Sequence, residues 1–345
     1  MNEIIIRREG LAGHITLNRP KALNAVTWDM IRKIAAALAV WRDDDRVRLV
    51  VIDAAGDKAF AAGGDIVDLY HKSRAGDLAF GRRFWAEEYR LNVAIAEYPK
   101  PIVTLMQGFT MGGGVGLACH ASHQVIDESV QIAMPECAIG LIPDVGGTHL
   151  LANAPENFGA FLGLTGYRMG PADAIFAGFA DRYVPRAAWA GLIERLSDTG
   201  EVGAIEEVAK APPDGRLAKT PEISRWFAGT SVSDILNSLS ASKTEDAATW
   251  TKALRKQSPL AAVTALDAIN AARSMTLRDA FAQEFRFVWR AVEDSDFLEG
   301  IRAMVIDKDR APRWKHGSIE TVPDDEARAM LAPLGDDELK LEDTP

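Results

Sequence analysis

A short apolar segment followed by a glycine-rich loop and a helical pattern recurs along this chain of 345 residues. Residues 48–54 (RLVVIDA) precede AFAAGGDI at 59–66, and residues 101–106 (PIVTLM) precede QGFTMGGGVG at 107–116. Such apolar runs are typical of strands buried on both faces, and strands that alternate with helices indicate an α/β sheet. A third segment, 131–151, also ends with paired glycines before a helical pattern. The repetition therefore predicts an α/β fold built from similar consecutive units.

Elements outside the repeat extend this prediction. Residues 3–7 and 12–17 have the composition of two strands joined by a turn at Glu9-Gly10. Residues 27–42 carry apolar residues at helical spacing, and Thr27 is suited to cap that helix. The sequence thus places a hairpin and a helix ahead of the first unit of the repeat.

The character of the chain changes after about residue 185, where apolar residues at helical spacing dominate. The predicted helices of this second half cover residues 187–198, 203–209, 232–239, 243–255, 259–273 and 277–291. The last residues, DDELKLEDTP, are acidic with little apolar content. We therefore expect an α/β core over 1–185, a mostly helical region over 186–333 and a disordered tail over 334–345.

Net charge, cysteine count and the length of apolar stretches limit which partners the protein can bind and where in the cell it can be. With 39 Lys and Arg against 49 Asp and Glu, the net charge is -10, and no long basic run is present. A chain this acidic repels nucleic acid. Two cysteines exclude a disulfide framework, and no apolar stretch approaches the ~18 residues of a membrane span. With no secretory signal evident, we expect a cytoplasmic protein that binds neither nucleic acid nor membrane.

The glycine loops are the first candidates for chemistry. Gly63-Gly64 and the triplet Gly112–Gly114 let the backbone come close to a ligand, and each precedes a helical pattern. One N–H group from each loop, converging on one oxygen, would make an oxyanion hole. Each loop alone is equally consistent with a tight turn, and neither has the spacing of a dinucleotide or phosphate loop.

Two acidic residues stand in apolar sequence of the third segment. Glu136 lies within MPECAI, and Asp144 lies within IPDVGG. Burial among apolar residues raises the pKa of a carboxyl group, which suits acid–base catalysis, although a capping role within the loop fits each residue equally well. The six histidines form no metal motif, and no G-x-S-x-G elbow is present.

Four ordered motifs together resemble the crotonase (enoyl-CoA hydratase/isomerase) superfamily. They are ITLNRPKALNAV (15–26), KAFAAGGDI (58–66), QGFTMGGGVGLA (107–118) and MPECAIGLIPDVGGTHLL (134–151). Further segments resemble its 3-hydroxyisobutyryl-CoA hydrolase subfamily, namely EEYRLN (87–92), LTGYRMGPADAIFAGFADRYV (164–184) and DFLEGIRAMVIDKDRAPRWK (296–315). The resemblance covers nearly the whole chain. It implies a crotonase-type spiral of ββα turns followed by a helical C-terminal region.

The resemblance also implies an acyl-CoA site. The backbone N–H groups of Gly64 and Gly113 would form the oxyanion hole for the thioester carbonyl, and Glu88 would contact the 3-hydroxyl group of the substrate. The path of the CoA nucleotide would be lined by Lys21, Ala22, Leu23, Asp65 and Ile66. Lys21 would meet a phosphate and offset the acidic net charge locally.

The acidic positions distinguish the reactions of the superfamily. Its hydratases are expected to carry one glutamate shortly after the glycine triplet and a second in the PE motif. Here the first position is Gly116, and only the second, Glu136, is acidic. With Asp144 as its partner, the resemblance implies hydrolysis of 3-hydroxyisobutyryl-CoA to 3-hydroxyisobutyrate and CoA, a step of valine catabolism. Whether Glu136 attacks the carbonyl or activates water stays open.

Two alternatives remain at this point. One is an enoyl-CoA hydratase or isomerase of the same superfamily, since an isomerase can work with one carboxylate. The other is a crotonase-like protein that binds CoA esters or RNA without catalysis. We expect a small acyl-CoA as the only partner and no metal or redox cofactor, because CoA is part of the substrate. The acyl preference stays open. The oligomeric state also stays open, and a homo-oligomer is one alternative.

Overall fold

The computed structural model describes residues 2–341 and contains two β-sheets surrounded by helices. The strands are β1 (Ile4–Glu9), β2 (Ala12–Leu17), β3 (Leu49–Ala54), β4 (Ala59–Ala61), β5 (Ile102–Met106), β6 (Phe109–Met111), β7 (His123–Ile126), β8 (Gln131–Ala133) and β9 (Arg182–Tyr183). The larger sheet has the order β1-β2-β3-β5-β7-β9, in which only the β1–β2 pair is antiparallel. The smaller sheet, β4-β6-β8, is entirely parallel.

Helices follow most of the strands, and the elements after β9 are helices and helical turns. Those of the first half are α1 (Trp28–Arg42), α2 (Ile66–Arg74), α3 (Leu78–Ala96), α4 (Gly113–Ala118), α5 (Gly147–Asn153), α6 (Phe158–Thr165) and α7 (Pro171–Phe176). Those of the second half are α8 (Trp189–Thr199), α9 (Ala204–Val208), α10 (Pro221–Trp226), α11 (Val232–Ala241), α12 (Glu245–Leu254), α13 (Pro259–Ala272), α14 (Leu277–Asp294), α15 (Phe297–Ile301) and α16 (Asp324–Met330). None of these helices, over the residues described, is both long and apolar enough to cross a lipid bilayer.

Short helical turns complete the description. The 3-10 turns are Pro20–Ala22, Glu136–Ile139, Arg186–Ala188, Leu217–Lys219, Ile319–Thr321 and Gly335–Asp337, and one π-helical turn spans Arg302–Ile306. The turn at Glu136–Ile139 stands between β8 and α5, where the earlier units of the repeat pass directly into a helix.

The predicted α/β repeat is confirmed, with the ββα units that the family resemblance implied and with one more strand in each unit than the apolar segments alone indicated. In each unit the first strand joins the larger sheet, the second joins the smaller sheet, and a helix follows. The second strands β4 and β6 lie inside the segments that we predicted as glycine loops. They are three residues long, too short to show an alternating pattern of their own.

Strand β3 shows why its sequence is apolar throughout. Leu49 and Val51 pack against α8, whereas Val50 and Ile52 join the main core with α1 and α3. Successive side chains of a strand point to opposite faces, so a sheet covered on both sides needs apolar residues at consecutive positions. This pattern confirms the sequence prediction of a buried strand.

The second half is helical, as predicted, and forms one continuous core with the first half. Helix α14 begins with a capping box at Thr276 and Asp279, and its apolar face packs on α3 and α5. The main hydrophobic core includes residues on both sides of position 185. The helical region is therefore part of the body that holds the site.

The expected disordered tail is wrong for residues 334–341. Glu338 forms an ion pair with Arg286 of α14 (2.8 Å), the Lys340 carbonyl accepts a hydrogen bond from Arg90 (2.9 Å), and Leu341 is buried. Polar composition suggested disorder, but Asp336 and Asp337 stay exposed while Glu338 and Leu341 hold the segment against the helices. Residues 342–345 of that prediction lie outside the described residues.

Gly114 offers a test of the close approach between α4 and β4. A Cβ atom at Gly114 would lie 2.3 Å from the Ala61 carbonyl oxygen, so the two elements would have to separate. We expect Gly114→Ala to lower the free energy of unfolding by about 1–3 kcal/mol in urea denaturation. The control is Gly191→Ala within α8, where the added methyl group has open space and should stabilise by up to ~1 kcal/mol. Equal effects of the two substitutions would contradict this packing.

Candidate active site

The smaller sheet brings three predicted site residues to one edge. Gly64 follows the last residue of β4 by three positions, Gly113 follows β6 by two, and Glu136 follows β8 by three. Because the strands are parallel, their C-terminal ends meet at the same edge, which is where α/β sheets usually bind ligands. All three residues line one cavity of about 280 Å³.

The cavity combines apolar walls with a few polar groups. Its walls include Leu69, Phe84, Trp85, Met111, Leu141 and Phe297. The predicted site residues that line it are Gly64, Asp65, Ile66, Glu88, Gly113, Glu136 and Asp144. A small number of polar groups in an apolar pocket is typical of a small-molecule site.

The two glycine loops present adjacent N–H groups. Within residues 2–341 neither the Gly64 N–H nor the Gly113 N–H has a hydrogen-bond acceptor. A Cβ atom placed on Gly113 would lie 3.2 Å from the Gly64 nitrogen, so the two loops nearly touch. Gly63 (φ 110°) and Gly112 (φ 46°) precede the donors in conformations that favour glycine. The arrangement suits an oxygen atom that gains negative charge.

Glu88 and Glu136 are buried and incompletely paired. They are 2% and 5% exposed, and in the described part of the chain neither Glu88 Oε1 nor Glu136 Oε2 has a hydrogen-bond partner. Burial raises the pKa of both carboxyl groups well above the usual value, and the nearby charge of Asp144 raises it further. Buried polar atoms without partners are rare in folded proteins, so these oxygens are available to a ligand.

Asp144 differs from Glu88 and Glu136 because its carboxyl group accepts a hydrogen bond from a hydroxyl group. Its Oδ2 atom accepts a hydrogen bond from the Tyr89 hydroxyl at 2.9 Å, and both residues are buried. Burial raises the pKa of Asp144 to about 7, and the hydrogen bond from Tyr89 opposes this shift because it favours the charged form. Tyr89 follows Glu88 on α3, so one helix supplies both groups.

The loop that carries Asp144 has an unusual backbone. Val145 (φ 54°) and Gly146 (φ 77°) are both left-handed, and a branched residue such as Val145 seldom adopts this conformation. His120 Nε2 lies 2.7 Å from the Val145 carbonyl. Burial lowers the pKa of His120 to about 4, so the ring is neutral and donates this hydrogen bond. Glu284 of α14 accepts a hydrogen bond from the Gly146 N–H at 2.7 Å.

Tyr89, His120 and Glu284 were not identified from sequence. Nothing near His120 in the sequence suggests a partner for it. Glu284 had one available signal, because it interrupts the apolar stripe of α14 between Phe281 and Phe285. A charged residue on a buried helix face usually has a specific partner.

Position 116 has no room for a side chain. A Cβ atom at Gly116 would lie 2.8 Å from Asn92 Oδ1 and 2.8 Å from the Val145 Cβ. Asn92 is fully buried on α3, one turn after Glu88. The space that an acidic side chain at this position would need is therefore occupied by Asn92 and the Asp144 loop.

Three of the predicted residues, Lys21, Ala22 and Leu23, lie outside the cavity, whereas Asp65 lines it. Lys21, together with Lys58, lines a separate surface pocket beside the 3-10 turn Pro20–Ala22. Ala22 is exposed, and the Leu23 carbonyl accepts a hydrogen bond from the Ala62 N–H (3.0 Å), which holds the chain leading to Gly64. Asp65 stands at the N-cap of α2 but makes no side-chain cap and pairs with Arg19 instead (3.0 Å).

Comparison with known proteins places the chain in a family. Residues 12–331 match the family model described as enoyl-CoA hydratase/isomerase. A curated relative is the mitochondrial 3-hydroxyisobutyryl-CoA hydrolase of Gallus gallus, which is 35% identical over 98% of this chain and 91% of the relative.

Two crystal structures share the whole fold. One is described as an enoyl-CoA hydratase from Rhodobacter sphaeroides 2.4.1; it is 54% identical, with a TM-score of 0.94 over 98% of this chain and all of that chain. The other is described as a carnitinyl-CoA dehydratase from Mycobacterium thermoresistibile; it is 38% identical, with a TM-score of 0.95 over 99% of this chain and all of that chain. The chain therefore belongs to the enoyl-CoA hydratase/isomerase (crotonase) family.

Proposed function

We propose that this protein hydrolyses the thioester of a short 3-hydroxyacyl-CoA, with 3-hydroxyisobutyryl-CoA as its substrate. The observation that carries the proposal is one cavity that holds two unpaired N–H donors beside buried Glu136 and Asp144. Thioester hydrolysis needs a site for the oxyanion next to a nucleophile or base. The acyl group is suggested by the name of the Gallus gallus relative.

In the proposed reaction, the thioester oxygen accepts hydrogen bonds from the Gly64 and Gly113 N–H groups. Negative charge grows on this oxygen in the transition state, where each donor contributes roughly 2.7–4 kcal/mol. Glu88 Oε1 lies beside Gly113 and has no partner of its own. In this role Glu88 binds the 3-hydroxyl group and fixes the acyl chain in the cavity.

Glu136 acts by one of two routes, which differ in where the new bond forms. In the first, its carboxylate attacks the carbonyl carbon, the C–S bond breaks, and water then hydrolyses the mixed anhydride. In the second, Glu136 removes a proton from water that attacks the carbonyl directly. Asp144 transfers a proton to the leaving thiolate in both. Label that enters Glu136 during single-turnover hydrolysis in ¹⁸O-labelled water, or an acyl group trapped on Glu136, establishes the anhydride route, because only that route makes a covalent bond to the Glu136 carboxyl group.

The CoA end of the substrate needs cationic contacts that the cavity lacks. Lys21 and Lys58 line the separate surface pocket near the 3-10 turn at residue 20. We assign this pocket to phosphate groups of CoA, and we assign Asp65 and Ile66, which line the cavity, to contacts with the part of CoA nearer the thioester. The proposed reaction uses no metal or redox cofactor. Cytoplasmic location stays a prediction, since the Gallus gallus relative is named as mitochondrial.

A second candidate is hydration of an enoyl-CoA. It is favoured by the description of the Rhodobacter sphaeroides structure as an enoyl-CoA hydratase. Against it stands the filled space at Gly116, which leaves Glu136 without a second glutamate at that position. We therefore rank hydrolysis first.

The first test measures free-thiol release from 3-hydroxyisobutyryl-CoA, with crotonyl-CoA in parallel, followed by loss of its enoyl absorbance. We expect thiol release from the hydroxyacyl ester and no hydration of crotonyl-CoA. Hydration of crotonyl-CoA without thiol release from either ester would overturn the proposal in favour of the hydratase.

Glu136→Gln tests the central carboxyl group. The substitution keeps the volume and removes basicity and charge, so we expect kcat for thiol release to fall by at least ~100-fold with the fold intact by circular dichroism. The control is Glu87→Gln, a glutamate on α3 that bonds Trp28 Nε1 (2.6 Å) and does not line the cavity. Normal turnover of Glu136→Gln would end its catalytic assignment.

Tyr89→Phe tests the electrostatics of Asp144. The Tyr89 hydroxyl favours the ionised form of Asp144, so its loss should raise the pKa of that carboxyl further above 7. We expect the limb of the pH–rate profile that reports Asp144 to move to higher pH. Asp144→Asn, which should abolish that limb, identifies it. A limb that stays in place or moves to lower pH would contradict the predicted direction.

A further inference from the structure

We infer that Glu284 of α14 is a positioning residue that holds Asp144 in place for the hydrolysis. The inference rests on the proposed function, because it concerns the geometry of the Asp144 carboxyl group. Glu284 does not line the cavity, so it acts through the loop that carries Asp144.

Within the described residues, the hydrogen bonds of the Glu284 side chain go to that loop and to the first turn of α5. Its Oε2 atom accepts a hydrogen bond from the Gly146 N–H (2.7 Å), and its Oε1 atom accepts from the Thr148 N–H (2.9 Å) and from the Thr148 hydroxyl. Glu284 and Thr148 are both fully buried. Three donors therefore face a carboxylate, which accepts hydrogen bonds and cannot donate them when it is ionised.

The loop needs such support because its conformation is costly. Val145 and Gly146 are consecutive left-handed residues directly after Asp144, and strained backbone persists only where surrounding contacts fix it. No larger residue fits at Gly146, since a Cβ atom there would lie 2.5 Å from His120 Nε2 and 2.8 Å from the Phe281 ring. The missing side chain lets α14 approach closely enough for Glu284 to reach the Gly146 N–H.

Helix α14 also contacts the other groups that hold the loop. The Phe281 ring packs against Tyr89 (centroids 5.3 Å apart) and against His120 (5.7 Å). Tyr89 binds the Asp144 carboxylate, and His120 binds the Val145 carbonyl. One face of α14, with Phe281 and Glu284 one turn apart, thus supports the carboxyl group, the strained peptide and the start of α5.

Glu284→Gln changes this support with little change in volume. A glutamine offers one oxygen and one NH₂ group, so in either orientation the NH₂ group faces a backbone N–H, of Gly146 or of Thr148. We expect kcat for thiol release to fall by about tenfold or more, since small misplacement of a catalytic group is costly. KM should stay within about twofold, because Glu284 does not touch the substrate.

Thr148 provides a second, milder pair of variants. Thr148→Val keeps the shape and removes the hydroxyl donor, whereas Thr148→Ser keeps the donor. We expect Thr148→Val to lower kcat in the same way as Glu284→Gln and Thr148→Ser to retain wild-type kcat. If Glu284→Gln does not fold, this pair decides the question.

Asp173→Asn is the matched control for a purely structural role. Asp173 is also buried and accepts hydrogen bonds from two backbone N–H groups, of Arg216 (2.8 Å) and Leu217 (2.9 Å), but it lies away from the cavity. We expect this variant to lose thermal stability and to keep wild-type kcat per folded molecule.

The outcomes separate the two proposals. If the wild-type protein releases no thiol from 3-hydroxyisobutyryl-CoA, the proposed function fails whatever Glu284 does. If the wild-type protein is active and the folded Glu284→Gln variant, or Thr148→Val, keeps wild-type kcat, only the positioning role is wrong. A fall of kcat in Asp173→Asn equal to that in Glu284→Gln would likewise reduce Glu284 to a structural residue.

Discussion

Parallel pairing of three very short strands is the constraint on which the site depends. Strands β4, β6 and β8 end at one edge, so Gly64, Gly113 and Glu136, which are far apart in sequence, come to line one cavity. Each short strand is attached to a longer one in the larger sheet, whose two buried faces make it rigid. The larger sheet thus stabilises the fold, and the smaller sheet positions the backbone N–H groups of Gly64 and Gly113.

Burial of three carboxyl groups in the cavity is electrostatically unfavourable. Glu88, Glu136 and Asp144 lose most of their hydration, and each raises the free energy of the folded state when it is ionised. Only Asp144 is compensated by a side-chain hydrogen bond, from Tyr89. Such conflict between local stability and burial of charge is expected at functional sites.

Sequence reasoning located the parts of the site that lie in local motifs. The glycine loops at Gly64 and Gly113 and the acids Glu136 and Asp144 could be proposed as candidates because each stands in one of an ordered set of motifs, and the structure brings all four residues to one cavity. The family resemblance implied a second strand in each unit, but the residues of the smaller sheet could not be located from sequence pattern, since three-residue strands carry no periodicity. The partners of the Asp144 loop could not be predicted either, because Glu284 is 138 residues from Gly146 and only the packing of α14 brings them together.

That long separation has a consequence for the order in which the protein matures. The strands of the described residues and most of the cavity-lining residues lie before residue 185, whereas Phe297 and Met304, which also line the cavity, are synthesised much later. The left-handed turn after Asp144 cannot donate its hydrogen bond to Glu284 until α14 has been synthesised and has packed on α3 and α5. A partly synthesised chain would therefore carry the two glycine loops before it carried the complete cavity wall or the Glu284 contacts that hold the Asp144 turn, so the candidate site is completed only when the last helices have packed.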